Sequence, residues 1–147
     1  RVLLMKRNER AHDPWSGHIS LPGGGYEAAD VHLLATAIRE TREELQVDVS
    51  SMRHLGNLPP THPMTAGPNG IQVTPFVFVT TLAVTPVCGD EAAAAFWMPL
   101  ELAASGQLDG HYEYPKTQMK FKAWMFEGHT IWGLTWRILG DLIALGA

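Results

Sequence analysis

The sequence predicts a layered α/β (α+β) domain in which a mixed β-sheet lies between helices. Three observations lead there. Strand-like segments fill the middle of the chain, and a helical pattern stands on either side of them. The length of 147 residues, with 46% hydrophobic and 18% charged residues, suits one buried core and leaves no room for two domains of ordinary size.

Val2 to Lys6 is short and apolar, as in a buried strand. Asn8 to Ser16 is polar and contains Pro14, so it reads as a loop. His18 to Leu21 leads into Pro22-Gly23-Gly24-Gly25, where the backbone must turn sharply or approach another group closely. Asp30 is the expected N-cap of a helix that runs to about Leu45. Strands are expected around Met52 to Leu58, Ile71 to Leu82 and Phe96 to Met98, with a long loop across Pro59-Pro60 and Met64 to Gly70. Pro99 suits the start of a short helix over Leu100 to Ser105. Lys120 to Phe126 and Thr130 to Trp132 read as a hairpin turning at Glu127-Gly128-His129, and a last helix fits Leu134 to Leu145 although Gly140 weakens it.

Charge narrows the partners. Fifteen acidic against eleven basic residues give a net charge of −4, which suits neither nucleic acid nor an anionic membrane. No apolar run reaches the ~18 residues of a membrane span, and Arg137 and Asp141 interrupt the nearest one, Ile131 to Ala147. No signal-peptide pattern opens the chain, and Cys88 has no internal partner, so a reducing, cytoplasmic setting is expected. The start at Arg1, directly in a strand pattern, suggests that a few N-terminal residues are missing.

The chemistry concentrates after the glycine run. The spacing there is neither GxxxxGK[ST] nor GxGxxG. On a helical wheel with Glu40 at zero, Glu43 falls at about 300° and Glu44 at about 40°. Leu34, Ala37, Ile38, Thr41 and Leu45 fall between about 60° and 160°, a core-facing stripe that adjoins the acidic arc. Like charges at Glu40 and Glu44, one turn apart, destabilise a helix unless a cation reverses the sign, and an all-oxygen cluster suits Mg²⁺, Mn²⁺ or Ca²⁺. The alternative is a solvated acidic face partly neutralised by Arg39 and Arg42. His62 and His111 are placed in loops, and no histidine pair has zinc-site spacing.

Gly24 followed by Arg39-Glu40-Thr41-Arg42-Glu43-Glu44-Leu45-Gln46-Val47 resembles the Nudix box, Gx5Ex7REUxEExGU, of hydrolases that act on nucleoside diphosphates linked to another moiety. The order of elements is similar over nearly the whole chain, which implies a single Nudix domain over residues 1–147. The spacing from Gly24 to Arg39 is one residue longer than the general box, with Asp30 in place of its first Glu, as in the coenzyme A diphosphatase-like branch. Trp15 to Gly24 and Trp132-Gly133-Leu134-Thr135 resemble segments of that branch, although Leu21 replaces its usual Phe.

The resemblance implies a Mg²⁺-dependent (or Mn²⁺-dependent) diphosphate hydrolase acting on a nucleoside diphosphate derivative, coenzyme A or a relative of it among the candidates. Glu43 and Glu44 would bind the ion with the Gly24 carbonyl. Glu40 would hold a second ion or orient water, Arg39 would fix a catalytic glutamate, and Glu91 would be a distant ligand. Glu91 and Glu40 both remain candidates for the general base, and Arg7 and Arg10 for contact with a terminal phosphate. Gln46 in place of the box glycine implies an altered helix exit with metal ligation intact. Dimers are common in the family, while the sequence itself sets no oligomeric state. A catalytically silent nucleotide-binding module and an acidic interaction domain are the competing readings; loss of Glu43 or Glu44 would favour the former, and both are present.

Overall fold

In a computed structural model, residues 1–13, 15–63 and 70–146 are described. The expected loop positions Pro14 and 64–69 therefore lie outside the described residues. The elements are β1 (Val2–Arg7), β2 (Ile19–Ser20), α1 (Leu33–Leu45), β3 (Arg53–Asn57), β4 (Phe76–Val79), β5 (Ala92–Met98), α2 (Leu100–Ala104), β6 (Asp109–Glu113), β7 (Lys120–Phe126), β8 (His129–Trp132) and α3 (Gly133–Ala144). The α/β class expected from the sequence is the one found. Among the described residues the strands pair antiparallel in three groups: β2-β1-β5, β3-β4 and β6-β7-β8.

β1 is the hinge of the architecture because its alternating side chains feed two cores. Leu4 packs with Ile131, Leu139 and Trp124, joining β1 to β8, α3 and β7. Met5, on the opposite face, packs with Leu45, Val47 and Ala92, which seats the end of α1 against β1 and β5. Both Leu4 and Met5 are fully buried, so one strand fixes the acidic helix and the C-terminal helix on its two sides. Thr135 adds a hydrogen bond from its hydroxyl to the Ile19 carbonyl (3.2 Å), which ties the first turn of α3 to β2.

Several expectations are corrected. Asp30 is not the N-cap of α1: His32 is, its Nδ1 accepting from the Ala35 N–H at 3.0 Å. Asp30 is instead buried, and its carboxylate is committed to four donors described below. The strand expected over Ile71 to Leu82 is confined to Phe76–Val79, bounded by Pro75 and by a bend in which the Leu82 N–H bonds to Thr80 Oγ1 at 3.1 Å. His111 lies on β6, a strand the sequence pattern did not indicate, and not in a loop. Within α1, Thr41 and Leu45 are buried as expected, while Leu34, Ala37 and Ile38 are only partly so. Thr36 and Glu44 are buried in their place.

The helix exit at Gln46 is also corrected. Gln46 adopts φ 54°, ψ 36°, and its N–H bonds to the Arg42 carbonyl at 2.9 Å. The left-handed cap that glycine normally provides is therefore kept, with a β-carbon held at positive φ.

Candidate metal and phosphate site

Two backbone devices bring the distant acidic groups together. The turn at Gly23-Gly24 lies against α1: the Gly23 N–H donates to Glu44 Oε1 at 2.8 Å. A β-carbon on Gly24 would stand 2.5 Å from Glu40 Oε1 and 2.8 Å from Oε2, so any side chain there would displace the Glu40 carboxylate. On the other side, the Val87 N–H bonds to the Leu45 carbonyl and the Gly89 N–H to the Glu44 carbonyl, each at 2.8 Å. Those bonds hold the segment leading to Glu91 against the end of α1, and the Asn8 N–H fixes the Glu91 carbonyl at 3.0 Å. Gly89 is also required sterically, since a β-carbon there would collide with the Glu43 carbonyl oxygen.

Arg39 organises the opposite flank. Its Nε and Nη2 bind the two Asp30 oxygens at 3.0 Å each, and Nη2 also donates to the Gly25 carbonyl at 3.0 Å. Its Nη1 reaches Glu40 Oε1 at 3.1 Å and Glu43 Oε2 at 3.2 Å. Asp30 accepts further bonds from the Glu27 N–H (3.0 Å) and the Thr36 hydroxyl (2.9 Å). The Arg39 fork, chiefly, together with these donors holds the Asp30 carboxyl well below the usual carboxylate range. Sequence reasoning identified Arg39 and missed this use of Asp30; the six-residue step from Asp30 to Thr36 carried no recognisable signal.

The three helix glutamates differ in environment. Glu44 is almost fully buried. Burial above all, and then the charges of Glu40 and Glu91, push its pKa up to about 7, against the opposing pull of the Gly23 N–H and Arg7. Glu40 is raised too, by burial first, with the Arg39 bonds opposing and the Glu43 and Glu91 charges adding to it. Glu43 is turned toward solvent, its side chain 57% exposed, and lies against Arg39. Glu44 thus meets Glu40 and Glu91 as like charges, and Glu40 meets Glu91 together with the exposed Glu43.

Beside Glu91 a cavity of about 230 Å³ is lined by Arg7, Asn8, Arg10 and Asp13. Arg7 pairs with Asp13 at 3.3 Å and Arg10 Nη2 reaches the Asp90 carbonyl at 3.4 Å. Both arginines expected from the sequence therefore line the same opening as Glu91, while Asn8 and Asp13 were not anticipated. Cys88 is exposed. Among the described residues, no three His, Cys, Asp or Glu side chains stand close enough to form a ready-made metal cage. A hard cation does not require one. Mg²⁺ keeps several waters and is held by one or two carboxylates together with substrate oxygens, and the all-oxygen donors at the glycine turn fit that demand.

Two carboxylates, Glu91 and Asp13, thus share one opening with two arginines, Arg7 and Arg10. Comparison with known proteins gives the family: the NUDIX domain profile matches residues 1–120. The chain belongs to the Nudix family and is an enzyme of the Nudix hydrolase class. It is 30% identical over 148 residues to a protein of Citrobacter koseri named uncharacterized Nudix hydrolase NudL, covering 96% of this chain and 72% of that one. The proteins of the same name in Salmonella paratyphi B and Salmonella newport are each 32% identical over 132 residues, covering 86% of this chain. The chain spans 66% of the length of those two relatives. Nudix hydrolases generally use divalent metal ions and act on small nucleotide derivatives. Among the described residues, no helix is long and apolar enough to cross a membrane.

Proposed function

We propose that residues 1–147 form one domain that hydrolyses the diphosphate bond of a nucleoside diphosphate derivative with Mg²⁺, in the cytoplasm, with coenzyme A as the first substrate to test. The observation that carries this reading is the pair of carboxylates Glu40 and Glu44 at the glycine turn, with Glu91 acting on both as a like charge from an opening it shares with two arginines.

Glu44 and Glu43 would hold the ion with the Gly24 carbonyl, and Glu43 would leave Arg39 to do so. A bound divalent ion supplies charge neutralisation at the phosphoryl oxygens and a water of lowered pKa. Glu40 and Glu91 are the two candidates to accept the proton of the attacking water: burial raises the proton affinity of the first, and the second lines the cavity. Arg39 keeps Glu40 in place through its bond at 3.1 Å. Arg7 and Arg10 bind the phosphate oxygens of a substrate lying in the cavity, which offsets the net negative charge of the protein.

The test is hydrolysis of coenzyme A, ADP-ribose, dinucleoside polyphosphates and NADH, with and without Mg²⁺, followed by detection of monophosphate products. Turnover that needs the ion and disappears in Glu44→Gln is expected. Nucleotide binding with no turnover of any compound would instead make the domain a binding module, and wild-type activity in Glu44→Gln would remove the metal role of that residue.

A further inference from the structure

The acidic helix and β1 each hold one side of the short turn that carries Glu91. Asp90 and Glu91 are its central residues, and the Ala92 N–H closes it on the Gly89 carbonyl at 3.3 Å. Gly89 anchors the start of the turn through its N–H bond to the Glu44 carbonyl at 2.8 Å. The other anchor is Asn8, the first residue beyond β1. Its main-chain N–H donates to the Glu91 carbonyl at 3.0 Å, and its side-chain Nδ2 donates to the Asp90 carbonyl. One residue thus holds the two carbonyls that flank the Glu91 α-carbon.

Those two bonds fix what a turn alone leaves free. Flipping the central peptide of a four-residue turn separates type I from type II and swings φ of the third residue by about 170°. Here that peptide joins Asp90 to Glu91, so the Asn8 amide decides which way it points, and with it the direction of the Glu91 side chain. The ladder beside the turn is irregular: Lys6 faces Ala94 and Arg7 faces Ala92, which leaves Ala93 without a partner on β1. A bulge of this kind bends the strand and interrupts the pairing that would otherwise steady the next residues. Arg10 Nη2 also reaches the Asp90 carbonyl, at 3.4 Å and from an exposed side chain. Under the proposed function a substrate phosphate draws Arg10 away, and among the described residues Asn8 is then the side chain left on that carbonyl.

We infer that Asn8 is a positioning residue for Glu91: by clamping the Asp90–Glu91 peptide it keeps the Glu91 carboxylate at the opening that both residues line with Arg7 and Arg10. This rests on the proposed function for the part Glu91 takes in the reaction. Asn8 acts through Glu91 and not on the substrate. The position needs a side-chain donor, which an amide supplies and a carboxylate of the same size does not. Asn8 is half-buried and belongs to neither hydrophobic core, so its replacement leaves the packing of β1 intact.

Two readouts test this in Asn8→Ala and in Asn8→Asp, which keeps the size and loses the donors. The first is amide hydrogen exchange of the metal-free protein. The Ala92 N–H should exchange at least tenfold faster in both variants, while the Gln46 N–H, bonded to the Arg42 carbonyl at the end of α1, exchanges as in the wild type. The second is hydrolysis with Mg²⁺ of whichever of coenzyme A, ADP-ribose, dinucleoside polyphosphates and NADH the wild type cleaves fastest. In Asn8→Ala kcat should fall at least tenfold with KM within threefold, and the same substitution should cost less than twofold in a Glu91→Gln background. Unchanged exchange at Ala92 in both variants overturns the inference. So does an undiminished kcat, or a loss as large in the Glu91→Gln background as in the wild type, since Asn8 would then act elsewhere. Faster exchange at Ala92 in a protein that hydrolyses none of the four upholds the clamp and sinks the hydrolase reading alone.

Discussion

Glu44→Gln should make the metal-free protein more stable at pH 8 while making it inactive. Glutamine keeps the acceptor oxygen that the Gly23 N–H bonds at 2.8 Å and removes only the charge. In the fold the Glu44 pKa stands at about 7, against an ordinary value of 4.5, because burial and the charges of Glu40 and Glu91 oppose ionisation. Below pH 4.5 both folded and unfolded states carry the proton, so the carboxyl contributes nothing to the pH dependence. Between pH 4.5 and 7 the unfolded chain loses its proton first, and stability falls as pH rises. Above pH 7 the loss is constant. An interval of that width corresponds to about 3 kcal/mol at most, and solvent reaching the cleft screens part of it, leaving about 2 kcal/mol.

The assay is urea unfolding in EDTA between pH 5 and 8.5, followed by tryptophan fluorescence. The difference between variant and wild type should be near zero at the acid end and grow to about 2 kcal/mol in favour of the variant above pH 7. Other titrating groups largely cancel in that difference. Addition of Mg²⁺ should then raise wild-type stability in proportion to the logarithm of its concentration and leave the variant unmoved. A difference that does not change with pH, or a wild type more stable than the variant at pH 8 without metal, refutes the reasoning.

Gln46→Gly should stabilise the domain by about 0.5–1 kcal/mol in urea unfolding, because relief of a left-handed β-carbon exceeds the added freedom of the unfolded chain; a loss of stability would show that the glutamine cap is unstrained. Gly24→Ala should change stability by less than about 1 kcal/mol, since the flexible Glu40 carboxylate can move aside, yet lower kcat about 100-fold by that displacement. Full activity in Gly24→Ala would detach Glu40 from the reaction. Asp30→Asn should lower both Tm and activity and should abolish the slow exchange of the Arg39 Nε–H in NMR spectra, because that proton is held by Asp30 Oδ1 at 3.0 Å. The Asp30 carboxyl lies below the usual range, so its contribution persists at neutral pH and is lost only as pH falls through that lowered value.

How much of this was legible in the sequence depends on whether a feature has a side-chain pattern. The acidic helix, its end at Leu45, the strand over Lys120–Phe126 and the short helix after Pro99 all have one, and all are found. β6 has none. Its residues Asp-Gly-His-Tyr-Glu include a single large apolar side chain, and its extended form comes from pairing with β7, Asp109 opposite Trp124 through Glu113 opposite Lys120. The N-cap was misplaced for a related reason. Asp30 is a good cap by type, but its carboxylate is captured by Arg39 and Thr36 from the helix body, and His32 takes the cap two residues later. The approach of Glu91 to Glu44 was anticipated only through the family resemblance. Physically it rests on the main-chain bonds of Val87 and Gly89 to the end of α1, and such bonds leave no mark on residue identity beyond one glycine.

The same geometry explains why the four glutamates are not equivalent. Arg39 is the one cation bonded to the helix carboxylates among the described ion pairs, and it serves Glu40 and Glu43 through a single nitrogen. Its remaining donors are held by Asp30 and Gly25, so it cannot turn further toward Glu44. Glu44 has only the neutral Gly23 N–H and the charge of Arg7 to oppose its burial, and its pKa is pushed up to about 7. On the proposed reading, a cation at the glycine turn would meet one carboxylate that gains from its charge and a second, Glu43, exposed enough at the surface to follow. Asp30 fixes Arg39, so the repulsion of Glu44 with Glu40 and Glu91 is not relieved by that guanidinium, and under the proposed function an incoming ion would relieve it.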